Sequence, residues 1–269
     1  MRARSRCSAR TCRFVVTERI PVALACSAVA VQIAYPLTSG SARDALTVTV
    51  VGLLALTALS HTAVTRGPAV AAVVLAVTAL PAYAAEVVGV RTGIPFGSYA
   101  YSGELGPRAL DVPLIVPLAW TMLAWPAALA ARAIVRRRAA RVLVGAWALT
   151  AADLFLDPQL VADGGWRWAH PDPHLPGVPD VPLTNVAGWL LVSLVLSAML
   201  QAVLDRSRGG DDRLPLVLYV WLWIGYTVAL GVFLDLRAAA AWGAVGMGTV
   251  ALPVARVLAP ARAGARAHR

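Results

Sequence analysis

The sequence predicts an all-α polytopic membrane protein, with about eight transmembrane helices and two long loops on the extracytoplasmic side. Three observations predict it. Of 269 residues, 59% are hydrophobic and only 14% charged, against about 25% charged in a soluble domain. The apolar residues gather into runs near the roughly 20 residues that cross a hydrocarbon core as a helix. All 24 basic residues are arginine, and nineteen of them fall on one side when the runs are threaded back and forth. This balance excludes a disordered chain, a collagen-like fibre and an ordinary soluble enzyme.

The runs lie at 20–38, 45–65, 69–90, 112–135, 142–156, 184–204, 215–234 and 238–258. Lipid leaves no backbone group unpaired, so each run reads as a helix. The alternating ten-residue segments of a barrel are absent. Residues 1–19 form a basic arm, 20–258 a single transmembrane domain and 259–269 a basic tail. An even number of spans puts both ends on one side. That side collects the arm, Arg66, the cluster Arg132 to Arg141, Arg206, Arg208, Arg213 and the tail. The other side keeps Arg43, Arg91, Arg108, Arg167 and Arg237. Arginine-rich loops stay cytoplasmic, so both termini are expected in the cytoplasm of a cell-membrane protein. Small residues at Gly40–Ala42 would also suit signal-peptide cleavage; the long apolar stretch before them argues for a retained anchor.

The net charge of +10 raises nucleic acid as a partner. Because the arginines punctuate apolar runs, topology accounts for them and no nucleic-acid partner is expected. Cys7, Cys12 and Cys26 are too few and wrongly spaced for a zinc site. No metal is expected either.

Acidic residues segregate the opposite way: Asp44, Glu86, Glu104, Asp111, Asp153, Asp157, Asp163, Asp172, Asp180 and Asp235 sit at or beyond the other helix ends. That side also carries the loops 91–111 and 157–183, long enough to suggest function and rich in aromatic residues and proline. The loops end alike. Asp111-Val-Pro-Leu and Asp180-Val-Pro-Leu each precede a span, with Trp120 and Trp189 nine residues after the aspartate. The match fits an internal duplication, or two helix starts sharing an aspartate cap and an early proline.

Ionisable groups in a span are functional candidates by default. Glu86 lies near the outer end of the third span. Asp153 and Asp157, four residues apart at the end of the fifth, share a helix face. Such a carboxyl pair can supply a proton donor beside a proton acceptor; Asp157, followed by Pro158, also suits a helix end. No phosphate loop or dinucleotide fingerprint is present. Asp153-Leu-Phe-Leu-Asp157 is not the aspartate-rich pattern of magnesium-diphosphate prenyl enzymes. His170 and His174 are separated by prolines, which fits loop residues, and His61 stands alone in the second span. The most distinctive stretch is Thr92-Gly-Ile-Pro-Phe-Gly-Ser-Tyr-Ala-Tyr101. Gly93 and Gly97 permit unusual backbone angles, Pro95 stiffens the turn, and Phe96, Tyr99 and Tyr101 present rings. It reads as a wall of aromatic side chains folded back toward the bundle.

On these residues the chain resembles the integral-membrane carotenoid biosynthesis proteins of the bisanhydrobacterioruberin hydratase and γ-carotene 1'-hydroxylase type. The matching pieces are Gly93–Tyr101, Leu105-Gly106, Val112-Pro-Leu114, Pro117-Leu-Ala-Trp120, Asp153, Asp157-Pro158, Trp166, Trp168, Gly177-Val-Pro179, Asn185 and Gly188-Trp189. They extend the resemblance over about residues 20–255. It departs before Gly177, where Pro171-Asp-Pro-His-Leu-Pro176 replaces a tyrosine-bearing segment.

The resemblance implies water addition across the terminal double bond of a carotenoid ψ-end, giving a tertiary alcohol. The substrate would lie in the bilayer, with other carotenoid enzymes as candidate partners, and no cofactor is called for. Hydration of an alkene needs a desolvated acid to protonate carbon, a stabiliser for the tertiary cation and one held water. Asp153 or Glu86 is the candidate acid. The rings of Tyr99, Tyr101, Trp166 and Trp168 can face the cation, and Asp157 or Asn185 can hold the water. Gly93, Pro95, Phe96, Gly97, Trp120 and Trp189 complete the expected substrate site. The competing class is non-enzymatic: a lipid or pigment transporter, or an assembly partner, for which Pro81, Pro117 and Pro126 would allow broken helices. Hydroxylated product formed without oxygen or reductant discriminates the two.

Overall fold

A computed structural model describes residues 9–101 and 105–260, with side chains from Arg19 on. Residues 1–8 of the basic arm, residues 102–104 with Glu104 among them, and the tail from 261 lie outside the described residues. Eight helices follow one another: α1 (Ala9–Ala34), α2 (Gly40–Arg66), α3 (Pro68–Thr92), α4 (Val116–Ile134), α5 (Arg138–Ala162), α6 (Leu183–Arg206), α7 (Arg213–Val228) and α8 (Arg237–Leu258). A 3-10 turn at Tyr35–Leu37 ends the first span, where Pro36 cannot continue an α-helix. A π-helical turn, Ala229–Phe233, ends the seventh.

Among the described residues, seven helices are long and apolar enough to cross a membrane, all but α4. The protein is an all-α polytopic membrane protein. In α4, two tryptophans, two prolines, Thr121 and Arg132 dilute the apolar character. Its position explains why this is tolerated. Thirteen of its 19 residues are buried, and it packs against α2, α3, α5, α6, α7 and α8. Protein surrounds this helix, so lipid does not set its composition. Small side chains at Ala124, Ala127, Ala128, Ala130 and Ala131 let its neighbours approach closely.

The first helix, expected from 20 after a basic arm, already starts at Ala9, and two further boundaries differ near the loops. The helix expected from 112 starts at Val116, because Val112–Pro113 (β3) pairs with Arg108–Ala109 (β2). The fifth helix, expected to stop at 156, continues through Pro158 to Ala162. Asp157 is therefore not a helix end. Asp111 and Asp180 are not caps either. Asp111 sits at φ 69° in the turn between β2 and β3, and Asp180 lies within a strand, β6 (Val178–Pro182). The residues that precede the helices are Ile115 and Pro182, without side-chain capping bonds.

The loops add strand pairing that the helical reading omitted. Tyr99–Tyr101 (β1) runs antiparallel to Trp166–Trp168 (β4), and His174–Leu175 (β5) pairs with β6. Tyr-Ala-Tyr and Trp-Arg-Trp alternate with period two, which puts one face of each strand toward the bundle. Tyr99, Tyr101 and Trp168 are buried, whereas Ala100 and Arg167 face out.

The sequence from α3 to α4 is thus repeated from α5 to α6: helix, three short strands, helix. Tyr99 lies opposite Trp168, and Trp120 stacks on Trp189 with ring centroids 3.8 Å apart and planes 16° apart. Both pairs are separated by the 69 residues that also separate Asp111 from Asp180. Residues at equivalent positions touch each other, as a local twofold relation requires. This favours duplication over shared capping needs as the origin of the Asp-Val-Pro-Leu repeat.

Candidate active site

At the loop end of the bundle lies a cavity of about 510 Å³. Of the residues expected at the site, Glu86, Phe96, Tyr99, Tyr101, Trp120, Asp153, Asp157, Trp166, Trp168, Asn185 and Trp189 line it. Gly93, Pro95 and Gly97 do not. They shape the wall from behind. Gly93 takes the left-handed conformation (φ 76°) that ends α3. Gly97 (φ 89°) is packed so closely that a Cβ there would stand 2.9 Å from Thr184 Oγ1. Pro95 meets α6 at Gly188, whose absent Cβ would stand 2.8 Å from the Pro95 carbonyl oxygen.

The two carboxyl centres have opposite surroundings. Glu86, on α3, is fully partnered. Tyr99 and Tyr101 both donate to Oε2, the latter at 2.8 Å, and Trp120 Nε1 donates to Oε1 at 3.0 Å. Burial pushes both phenols well above the ordinary tyrosine range, and the nearby Glu86 charge adds to this. They are therefore neutral donors. The Tyr99 ring packs against Trp168 at 5.7 Å, and Tyr101 meets Trp166 edge-on at 5.6 Å. Trp168 is held in turn by donating to the Phe96 carbonyl at 2.9 Å.

Asp153 and Asp157 lie one turn apart on α5, 2% and 3% exposed. The amide of Asn185, on α6, donates to Oδ2 of both, at 3.2 Å to Asp153. Asp153 Oδ1 and Trp166 Nε1 are buried without a hydrogen-bond partner. A native fold leaves few such atoms unless something else satisfies them. Here an unpartnered acceptor and an unpartnered donor both belong to side chains lining one cavity.

Among the described residues, no group of three His, Cys, Asp or Glu could hold a metal ion. His61 is far from the site in sequence and fold. It bonds the Asp211 carbonyl at 2.9 Å and packs beside Trp125. His174 bonds Asp172 within the second loop. Six polar lining residues escaped the sequence reading: Gln32, Tyr35, Thr47, Gln159, Trp221 and Tyr226. Three of them lie on α7 or just after α1. Only their aromatic character within apolar runs could have signalled them.

A family profile described as "Carotenoid biosynthesis protein" matches residues 46–254, most of the chain. The chain belongs to the carotenoid biosynthesis protein family. It is also similar to bisanhydrobacterioruberin hydratase of Haloarcula japonica, with 36% identity over 168 residues. That alignment covers 58% of this chain and 55% of the relative, so the match spans about half the relative's length. No solved structure matches the chain. The strand-paired cap, the three carboxyl groups and the cavity wall from Thr47 on fall within the stretch that the carotenoid biosynthesis profile covers, whereas the wall contributed by residues 32–37 lies before it.

Proposed function

We propose that this carotenoid biosynthesis protein is a hydratase that adds water to the terminal double bond of a carotenoid ψ-end. One observation carries the reading: a buried carboxyl oxygen, Asp153 Oδ1, without a partner in a largely apolar cavity. In the proposed reaction Asp153 gives its proton to the terminal alkene carbon, leaving a tertiary cation. Rings of Tyr99, Tyr101, Trp166 and Trp168 offer it their negative faces. Water adds to the cation and loses a proton to Asp157, and transfer from Asp157 to Asp153 restores the start. Asn185, bonded to both carboxyls, holds them in register. Glu86 is already bound by three donors, so its role is to fix the aromatic wall. The hydration consumes no electrons.

The same reading places the loop end outside the cytoplasm of the cell membrane, since nineteen arginines fall on the opposite side or in the terminal segments. Its test is expression in a lycopene-producing bacterium. Pigment should gain the mass of one water, with the oxygen drawn from heavy-oxygen water. Unchanged pigment would leave carriage or assembly as the function. Oxygen drawn from dioxygen would replace hydration with oxidation.

A further inference from the structure

The cavity does not end at the carboxyl groups. Its wall continues from Asp153 and Asp157 past Trp221 to residues on the outer surface: Ile33 at the end of α1, Leu37 just after it, and Val228 and Phe233 around the end of α7. Leu37 is 73% exposed, Ile33 57% and Phe233 54%. On a membrane span these side chains face acyl chains. The other approach, from the aqueous loop end, is covered by the paired strands β1 and β4 and their buried rings.

The seam between α1 and α7 is lightly built. A hydrogen bond of 2.9 Å from Trp221 Nε1 to Gln32 Oε1 crosses it. One turn further along α7 stands Gly225, which also lines the cavity. The helix then widens into the π-turn, with Leu234 N–H bonding back to the Ala229 carbonyl at 3.0 Å. Such turns recur at functional sites. A cavity of about 510 Å³ is the size that encloses a drug-sized molecule, so a longer chain must extend out through an opening.

We infer that the α1–α7 seam is a lateral portal through which the carotenoid enters from the bilayer end first, and that Gly225 keeps it open. This rests on the carotenoid reading above and adds the route and the residue that sets its width. The polyene would thread past Gly225, with its terminal double bond at Asp153 and its remainder lying among lipid. A Cβ at Gly225 would meet nothing nearer than the Trp221 ring, at 3.7 Å. Larger side chains there would extend into the passage without striking backbone, and each is a better helix former than glycine.

The test is a series of Gly225→Ala, Gly225→Leu and Gly225→Phe, with Val245→Phe as a bulky change on the lipid face of α8, away from the cavity. Purified protein in vesicles is given lycopene from donor vesicles. Uptake is read from polyene absorbance in the repurified protein, and thermal unfolding is recorded alongside. Uptake should slow with side-chain volume, by roughly tenfold for Gly225→Phe, or about 1.4 kcal/mol of barrier. Unfolding temperature should hold, and Val245→Phe should match wild type. Hydration of a short isoprenoid carrying the same terminal alkene should fall less than lycopene uptake in Gly225→Phe. Wild-type uptake by Gly225→Phe overturns the portal while leaving the hydratase reading intact. Slower uptake that tracks a falling unfolding temperature also overturns it. A wild-type protein that takes up no lycopene overturns the carotenoid reading itself.

Discussion

Replacing Asp153 with asparagine separates the chemistry from the architecture. The two side chains have nearly the same volume, and Asp153 is 2% exposed, so packing should survive. Besides the neighbouring Asp157 carboxyl, it meets the Asn185 amide, which donates to Oδ2 at 3.2 Å. A carboxamide oxygen can accept that bond, leaving the new amide nitrogen where Oδ1 has no partner. The structural cost should stay near the value of one ordinary hydrogen bond, about 1 kcal/mol. The catalytic cost should be larger. An amide cannot protonate carbon, and general acid catalysis by one group contributes roughly 10²–10⁴-fold, about 3–5 kcal/mol of barrier. Asp153→Asn should therefore reach the membrane at wild-type level, unfold within a few degrees of wild type and lose at least about a hundredfold in hydration rate. The assay is product mass over time with purified protein in vesicles. Run in deuterated water, the native protein should place one carbon-bound deuterium beside the new alcohol. An Asp153→Asn rate within about threefold of wild type, or product without that deuterium, refutes Asp153 as the acid.

Three further outcomes follow from the same geometry. Glu86→Gln leaves one acceptor oxygen for three donors, so the aromatic wall should loosen by about 1–3 kcal/mol. Activity should fall clearly less than in Asp153→Asn, and an equal or greater loss in the same rate assay would transfer the acid role to Glu86. Gly97→Val forces a β-branched residue to φ 89°, with its Cβ about to overlap Thr184 Oγ1. The variant should insert and elute as a single species on gel filtration, yet be inactive; full activity would remove the loop from the site. A reporter joined after Arg269 should work only if it needs the cytoplasm, and activity confined to the extracytoplasmic compartment would invert the orientation.

Local properties made much of the molecule legible. Helix number and span positions follow from apolar runs, because lipid demands a closed set of backbone bonds from each segment by itself. Asp153 and Asp157 were recognisable as a pair because helical spacing puts residues four apart on one face. The Asp-Val-Pro-Leu repeat was legible as a repeat, but not in its meaning. A capping reading of Asp111 and Asp180 is locally reasonable, and it failed because Asp111 turns the chain between β2 and β3 and Asp180 lies within β6, so the helices begin only at Val116 and Leu183. Alternation in Tyr-Ala-Tyr and Trp-Arg-Trp carried a strand signal too short to read without its partner strand.

Composition, charge placement and helical period by themselves determined that this is a polytopic helical membrane protein with its carboxyl groups and aromatic loops at one end. Tertiary structure alone decided which carboxyl is spoken for. Glu86 and Asp153 look alike in sequence, each an acid within an apolar run. Only the pairing of β1 with β4 and the packing of α3 against α4 deliver three donors to Glu86 and leave Asp153 Oδ1 bare. The same holds for α1 and α7 as cavity walls, and for α4 as the protein-wrapped centre. Apolar side chains that face lipid, a cavity or another helix satisfy the same local rule, and they are told apart only by what long-range packing sets beside them.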